Sequence, residues 1–250
     1  LEEYPESLVI IGSGFIGLEF AATYAQFGTK VTVIDVIDAF LPREDEDVAQ
    51  AVKEQLEALG VTFNLGVQLK AVHQEGGKAV VEATTGEGAP VAFTTDAVLV
   101  ATGRRANVQG LDLDKAGVEL TERGAIKVNE FLQTNVPHIF AMGDVNGGPQ
   151  FTFVSLDDFR IVKRFLAGDT TYSTKQRAKF PTATFINPPL ASVGLNEKQA
   201  KEAGIEVKVA KLPAMAIPKA KILGNQVGFY KVLVDASTNQ IVGAKLFAEE

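Results

Sequence analysis

The sequence predicts an α/β fold led by a Rossmann-like βαβ unit and a β-meander, and three observations predict it. Residues Leu8–Asp35 read LVIIGSGFIGLEFAATYAQFGTKVTVID, two apolar runs flanking a helical pattern. Short runs of alternating polarity, separated by glycine-containing turns, fill 67–95. Strand and helix patterns then alternate again from about Phe180 onward. Alternation of this kind belongs to layered domains in which each element buries one apolar face against its neighbour.

Leu8–Ile11 is uninterrupted apolar sequence, as expected of a strand buried on both faces. Gly12, Gly14 and Gly17 follow at G-x-G-x-x-G spacing and open a helix expected to bury Leu18, Phe20, Ala21, Ala22 and Ala25 before ending at Gly28. Val31–Ile34 is the second strand, closing on Asp35. After a loop broken by Pro42, a helix is expected from about Glu44 to Leu59, with Val48, Val52, Leu56 and Leu59 at helical spacing and Gly60 as its stop. Its opening run, Glu44-Asp45-Glu46-Asp47, suits the positive end of the helix dipole and reads as a solvated face.

Val61–Leu65 is a short strand. The runs Leu69–His73, Lys78–Ala83 and Pro90–Phe93 form the meander, turning at Gly76-Gly77 and Gly86-Glu87-Gly88. Ala97–Ala101 is another buried strand. A loop-rich region follows, with short strands expected at Ala125–Val128 and His138–Ala141 and a helix whose apolar face carries Phe153, Leu156, Phe159, Ile161 and Val162. Beyond Phe180 the sequence predicts a strand at Thr182–Ile186, a helix capped by Asn196 and ended by Gly204, a strand at Val207–Leu212, and a hairpin of Gly228–Asp235 with Ile241–Ala248.

Composition narrows the function classes. The 250 residues carry a formal charge of −7, and no basic stripe is present to neutralise phosphates, so nucleic acid is not an expected partner. No apolar run approaches a membrane span and the start has no signal-peptide pattern, so no membrane partner and a cytoplasmic location are expected. There is no cysteine, which excludes disulfide and thiol chemistry within these residues. The chain begins at Leu1 without a methionine and is read as a piece of a longer protein.

The chemistry of Leu8–Asp35 is that of a dinucleotide site. Gly12 permits a tight turn, Gly14 lacks the Cβ that would block a pyrophosphate, and Gly17 lets helix and strand approach closely. The free N–H groups and dipole of the helix start then face the diphosphate. Asp35, 23 residues after Gly12, is placed to accept hydrogen bonds from the adenosine ribose and to repel a 2′-phosphate, favouring NAD(H) over NADP(H). No metal or catalytic set emerges: His73 and His138 are isolated and read as structural or surface residues, Met142 and Met215 are too few for a soft-metal site, and Asp157 and Asp158 are helix neighbours that do not face each other.

Three ordered motifs, Gly12–Glu19 with Asp35, Ala101–Arg105 and Thr134–Asp144, resemble those of the class I pyridine nucleotide-disulfide oxidoreductases, which include glutathione reductase, dihydrolipoamide dehydrogenase and mercuric reductase. The resemblance spans essentially the whole chain. Phe40–Asp45, Gln150–Arg160 and Pro188-Pro189-Leu190 look most like the bacterial reactive-chlorine-resistance branch, described as a copper(II) reductase. It implies an NAD(H)-binding domain at 1–103, the second half of an FAD-binding domain at 104–175 and the first part of an α+β dimerisation domain at 176–250. The FAD and redox-cysteine segment and the end of the dimerisation domain are then expected to lie outside this sequence.

Carried over by position, the resemblance implies that Gly12, Gly14, Ile16 and Gly17 hold the NAD(H) diphosphate and that Phe15 is the aromatic gate over the flavin. Glu19 reaches the nicotinamide end, although a glutamate near a helix start is favourable without a ligand. Gly103 lies at a hinge beside the cofactor, and Asp144 binds the ribityl or phosphate portion of FAD, the competing reading being a turn aspartate. From the residues themselves, Arg104-Arg105 are expected to make a domain-junction salt bridge, the competing roles being stacking on adenine or binding phosphate. The helix starting near Gln150, Phe151 and Thr152 aims its N-terminus at the flavin. The family often has Met-Leu-Ala-His at 150–153, where this chain has Gln-Phe-Thr-Phe. The implied parent is a homodimeric flavoprotein passing hydride from NADH to FAD and on to a disulfide, metal ion or other acceptor. The competing expectation is a stand-alone NAD(H)-binding or redox-sensing module without catalysis.

Overall fold

The computed structural model describes residues 3–249. The chain divides into two compact units, one made of the residues up to Gly103 together with those from Phe180 onward, the other of Arg104–Lys179.

The first unit begins with β1 (Ser7–Ile11), α1 (Phe15–Gln26), β2 (Lys30–Ile34), α2 (Glu46–Ala58) and β3 (Thr62–Asn64). It continues with the meander β4 (Gln68–Glu75), β5 (Lys78–Thr84) and β6 (Pro90–Thr95), and with β7 (Ala97–Val100). Strands β3, β2, β1 and β7 form a parallel sheet in that order, with Ile10 opposite Val33 on one side and Leu99 on the other. Both faces of β1 are covered, as its apolar run requires. Leu8 and Ile10 pack with Leu18, Val31, Val48 and Val52, whereas Val9 and Ile11 pack with Ile34, Val81 and the half-buried Phe93 of the meander. Helix α1 buries Gly17, Leu18, Ala21 and Ala22. Phe20, expected inside, is exposed and stacks on Tyr24.

In the second unit the strands expected at 125–128 and 138–141 are replaced by two isolated bridges, Leu120 with Ile126 and Gln133 with Phe140. The segments are too short to form a ladder once turns at Gly117, Gly124 and Leu132 interrupt them. Helix α3 (Thr152–Leu166) buries Val154, Asp158, Ile161 and Val162. Phe153, Leu156 and Phe159 of the expected apolar face point outward. A buried aspartate in place of a buried phenylalanine is explained by its partners: Asp158 accepts the Gly143 N–H at 2.8 Å and the Asn146 amide at 3.0 Å.

The remainder of the first unit holds β8 (Thr182–Thr184), β9 (Leu190–Gly194), α4 (Glu197–Glu202), β10 (Val207–Pro213), α5 (Pro218–Leu223), β11 (Phe229–Asp235) and β12 (Ile241–Phe247). Its antiparallel sheet runs β10-β11-β12-β9-β8. Helix α4 carries a full capping box, Asn196 with Gln199. Neither β9 nor α5 is among the elements expected from the sequence. Ile186, Leu190, Phe229 and Phe247 join the same core as Leu18 and Val52, so this sheet shares its interior with the βαβ unit.

The acidic run at 44–47 is a solvated face only in part. Asp45 is buried and accepts the Glu197 N–H at 3.0 Å, while Glu46 and Asp47 remain exposed. Lys231, fully buried on β11, places its Nζ 3.1 Å from Asp45, 2.8 Å from Asp47 and 2.5 Å from Glu197. Lys245 on β12 pairs with Glu44 at 2.5 Å. These acids are drawn inward because the sheet presents two buried lysines, and a buried charge must be paired.

Candidate functional site

The glycine fingerprint lies where β1 ends and α1 begins. Gly12 has φ +112°, and a Cβ there would stand 2.4 Å from the Ala101 carbonyl oxygen. A Cβ on Gly17 would stand 2.0 Å from the Gly12 carbonyl oxygen. Both positions are therefore closed to larger residues by backbone of the same unit. Gly14 differs: nothing lies within 4 Å of its Cβ position, so the space over it is open. Helix α1 starts there with no side-chain cap and no acidic residue in its first turn, leaving its first N–H groups for an anion. Phe15 is 51% exposed at the helix start, and Ile16 is half-buried.

Asp35 follows β2 and is half-buried. Its Oδ2 accepts both the Ser13 N–H at 2.6 Å and the Ser13 hydroxyl at 2.7 Å, and its Oδ1 accepts the Ile37 N–H at 3.0 Å. Burial works to raise its pKa, but the bonds from Ile37, Ser13 and Val36 outweigh that and hold the carboxyl below the usual aspartate value. The group is thus a fixed carboxylate at the end of the strand. Ser13, which holds this carboxylate, is not among the residues expected at the site; its one signal in the sequence is a hydroxyl placed between two fingerprint glycines.

The remaining expected site residues are dispersed. Glu19 sits beyond the first turn of α1, and its Oε1 accepts the Phe185 N–H at 2.9 Å, which ties the helix to the chain just after β8. Gly103 is exposed with φ +108°. In the second unit, Asp144 is exposed in a short 3₁₀ turn (Gly143–Asn146) and lies 3.6 Å from Arg104. Asp158 holds that turn through Gly143 and Asn146, and Arg177 bridges Asp157, at 2.7 Å, and Asp158. The two neighbouring acids therefore converge on one guanidinium. Helix α3 also starts without a side-chain cap or an acidic first turn. Gln150 and Thr152 beside it are exposed, and Phe151 stacks on Phe153 at 5.2 Å.

Among the described residues, the carboxylates of Asp45, Asp47 and Glu197 have the spacing to hold a cation. The Lys231 ammonium already lies among them and supplies the positive charge.

A strand-to-helix glycine turn with an open approach, an uncapped helix start and a fixed acid closing the next strand define an α/β protein of the dinucleotide-binding class. The chain belongs to the pyridine nucleotide-disulphide oxidoreductase family, whose model matches residues 1–158, and the family's dimerisation domain matches 180–250. It is 41% identical over 246 residues to the Escherichia coli K12 protein named "Probable pyridine nucleotide-disulfide oxidoreductase RclA", covering 98% of this chain and 55% of that protein. It is 38% identical over 248 residues to dihydrolipoyl dehydrogenase of Mycobacterium tuberculosis H37Rv, covering 99% of this chain and 53% of the relative. Mercuric reductase of Staphylococcus aureus is 36% identical over 249 residues, covering 100% and 45%. The solved Cu(II) complex of the HOCl-induced flavoprotein disulfide reductase RclA from E. coli superposes with a TM-score of 0.93 at 39% identity, covering 100% of this chain and 56% of that one. The chain spans about half the length of the curated relatives it matches. The fold is the mixed α/β fold of that family.

Proposed function

We propose that this chain supplies the NAD(H) site and part of the FAD site of a flavoprotein oxidoreductase, which passes hydride from NADH to FAD and on to a disulfide, metal ion or other acceptor. The observation that carries the reading is the juxtaposition at β1, α1 and β2: an open Gly14, an uncapped helix start and a carboxylate fixed by Ser13 and Ile37. The N–H groups at the start of α1 bind the diphosphate, with Gly12, Gly14, Ile16 and Gly17 shaping its seat. Asp35 accepts the ribose hydroxyls and repels a 2′-phosphate. Phe15, half of whose surface is exposed, covers the place that the nicotinamide takes. Glu19 serves the nicotinamide end through the same carboxylate that holds Phe185. Gly103 gives the chain its turn beside the cofactor.

FAD fits the second unit by its polar groups: Asp144 stands exposed for the ribityl or phosphate portion, and α3 offers an uncapped N-terminus near Gln150, Phe151 and Thr152. Bound FAD supplies the hydride and electron transfer, while the protein supplies placement and electrostatics. The names of the relatives support a disulfide or metal-ion acceptor. The dimerisation-domain match over 180–250 supports a homodimeric parent. A cytoplasmic location belongs to the same reading.

The test is Asp35→Arg in the 250-residue chain, titrated with NADH and NADPH. NADH binding is expected to weaken about tenfold or more, as follows from losing charged hydrogen bonds, while NADPH binding improves. Equal loss of both nucleotides would contradict the position given to Asp35.

A further inference from the structure

We propose that Ser13 is a positioning residue for nucleotide choice: its hydroxyl locks the Asp35 carboxylate into a single rotamer and presents only acceptor oxygens to the 2′ position. The inference rests on the assignment of Asp35 to the adenosine ribose and names the residue that makes that acid selective.

The geometry is specific. Ser13 donates twice to one oxygen, from its backbone N–H at 2.6 Å and from its hydroxyl at 2.7 Å. Distances this short are those of charge-assisted bonds. The Ile37 N–H fixes the other oxygen at 3.0 Å, so the carboxylate plane is held at both ends. Ser13 is buried at 6% exposure, which shields the hydroxyl bond from competing water.

A serine hydroxyl has one proton. Here that proton is committed to Asp35 and cannot be donated to a phosphate. The Oδ2 of Asp35 takes both Ser13 bonds, whereas Oδ1 accepts the Ile37 N–H and is the oxygen left to face a sugar hydroxyl. A ribose diol, which donates, is complementary to this arrangement. A 2′-phosphate meets a fixed negative charge and no donor from either side chain. The backbone N–H of Ser13 would be present with any residue at this position, so the hydroxyl is the part of the lock that depends on serine.

The experiment is a double-mutant cycle on the 250-residue chain. Ser13→Ala, Asp35→Ala and the double variant are titrated with NADH, NADPH and ADP-ribose, and melting curves are recorded for each. Ser13→Ala is expected to weaken NADH and ADP-ribose about fivefold to tenfold, the scale of a hydrogen bond to a charged group, and to leave NADPH within about twofold. In the Asp35→Ala background the same substitution is expected to change NADH binding by less than about twofold, because its target is gone. A purely structural serine would lower all three ligands alike and would do so with or without Asp35; either result overturns the inference while leaving the ribose assignment standing. Unchanged NADH affinity in Asp35→Ala overturns both together. Ser13→Gly, which also lacks the hydroxyl, gives the same comparison where the alanine variant folds poorly.

Discussion

Lys231→Met tests the buried ion cluster that fastens α2 to the antiparallel sheet, and its cost can be worked from the contacts. The lysine side chain has no exposed surface, and its Nζ lies 2.5–3.1 Å from three carboxylates, of which Asp45 is itself nearly buried. Methionine keeps most of the volume and removes the charge. Asp45 retains its bonds from the Glu197 and Lys198 N–H groups, and Asp47 retains Lys211 at 2.6 Å, but Asp45 and Glu197 lose the ammonium they share. Breaking a buried pair from one side costs about 3–5 kcal/mol, against about 0–1 kcal/mol for an exposed pair. In a domain of this size 1 kcal/mol shifts the melting temperature by about 2–4 °C, so a fall of roughly 6–20 °C is expected. Thermal and urea denaturation followed by circular dichroism measure it. Adding Asp45→Asn should recover part of the loss, since it removes one unpaired charge. A loss below about 1 kcal/mol would refute the reasoning, because the cluster would then be behaving as a solvated surface pair.

Two of the three fingerprint glycines, Gly14 and Gly17, are expected to separate folding from binding. Gly17→Ala drives a Cβ against the Gly12 carbonyl and is expected to cost about 1–3 kcal/mol in denaturant melts, whereas Gly14→Ala should melt like the parent and lose NADH affinity; equal melting losses would contradict the open space over Gly14. Arg177→Met leaves Asp157 and the buried Asp158 without their shared cation, and a loss of about 3 kcal/mol is expected in urea denaturation, with faster proteolysis within Arg104–Lys179. For pH, Asp35 and Asp47 both have lowered pKa values, in each case because hydrogen bonds outweigh burial, those to Asp47 coming from Lys211 and Lys231. A carboxyl with a lowered folded pKa contributes stability that is complete above its ordinary value near 4 and is lost as pH falls through the lower folded value. Stability from urea titrations should therefore fall steeply below about pH 4, and Asp35→Asn and Asp47→Asn should flatten that fall. An unchanged slope in both variants would show that other groups control it.

The features legible in the sequence were those whose cause is local. Four apolar residues at Leu8–Ile11 sufficed for a strand covered on both faces, glycine spacing sufficed for the turn into α1, and Asn196 with Gln199 sufficed for the start of α4. Helical periodicity placed α2 within two residues at its start and one at its end. Family membership was legible for the same reason, since its motifs are short and ordered. The burial of Asp45 was not, because the lysine that draws it inward stands 186 positions away. Of the apolar face expected for α3, Ile161 and Val162 are buried but Phe153, Leu156 and Phe159 are not, because Asp158, held by Gly143, Asn146 and Arg177, takes an inward position that hydrophobicity alone gives to a phenylalanine. Glu19 and Ser13 acquire their partners, Phe185 and Asp35, only once strands and helix are packed. Sequence by itself determined the βαβ unit, the meander and the family to which the chain belongs. Tertiary structure alone decided which charges are buried and which hydroxyl holds the Asp35 carboxylate, because desolvation and pairing depend on residues that only folding brings together.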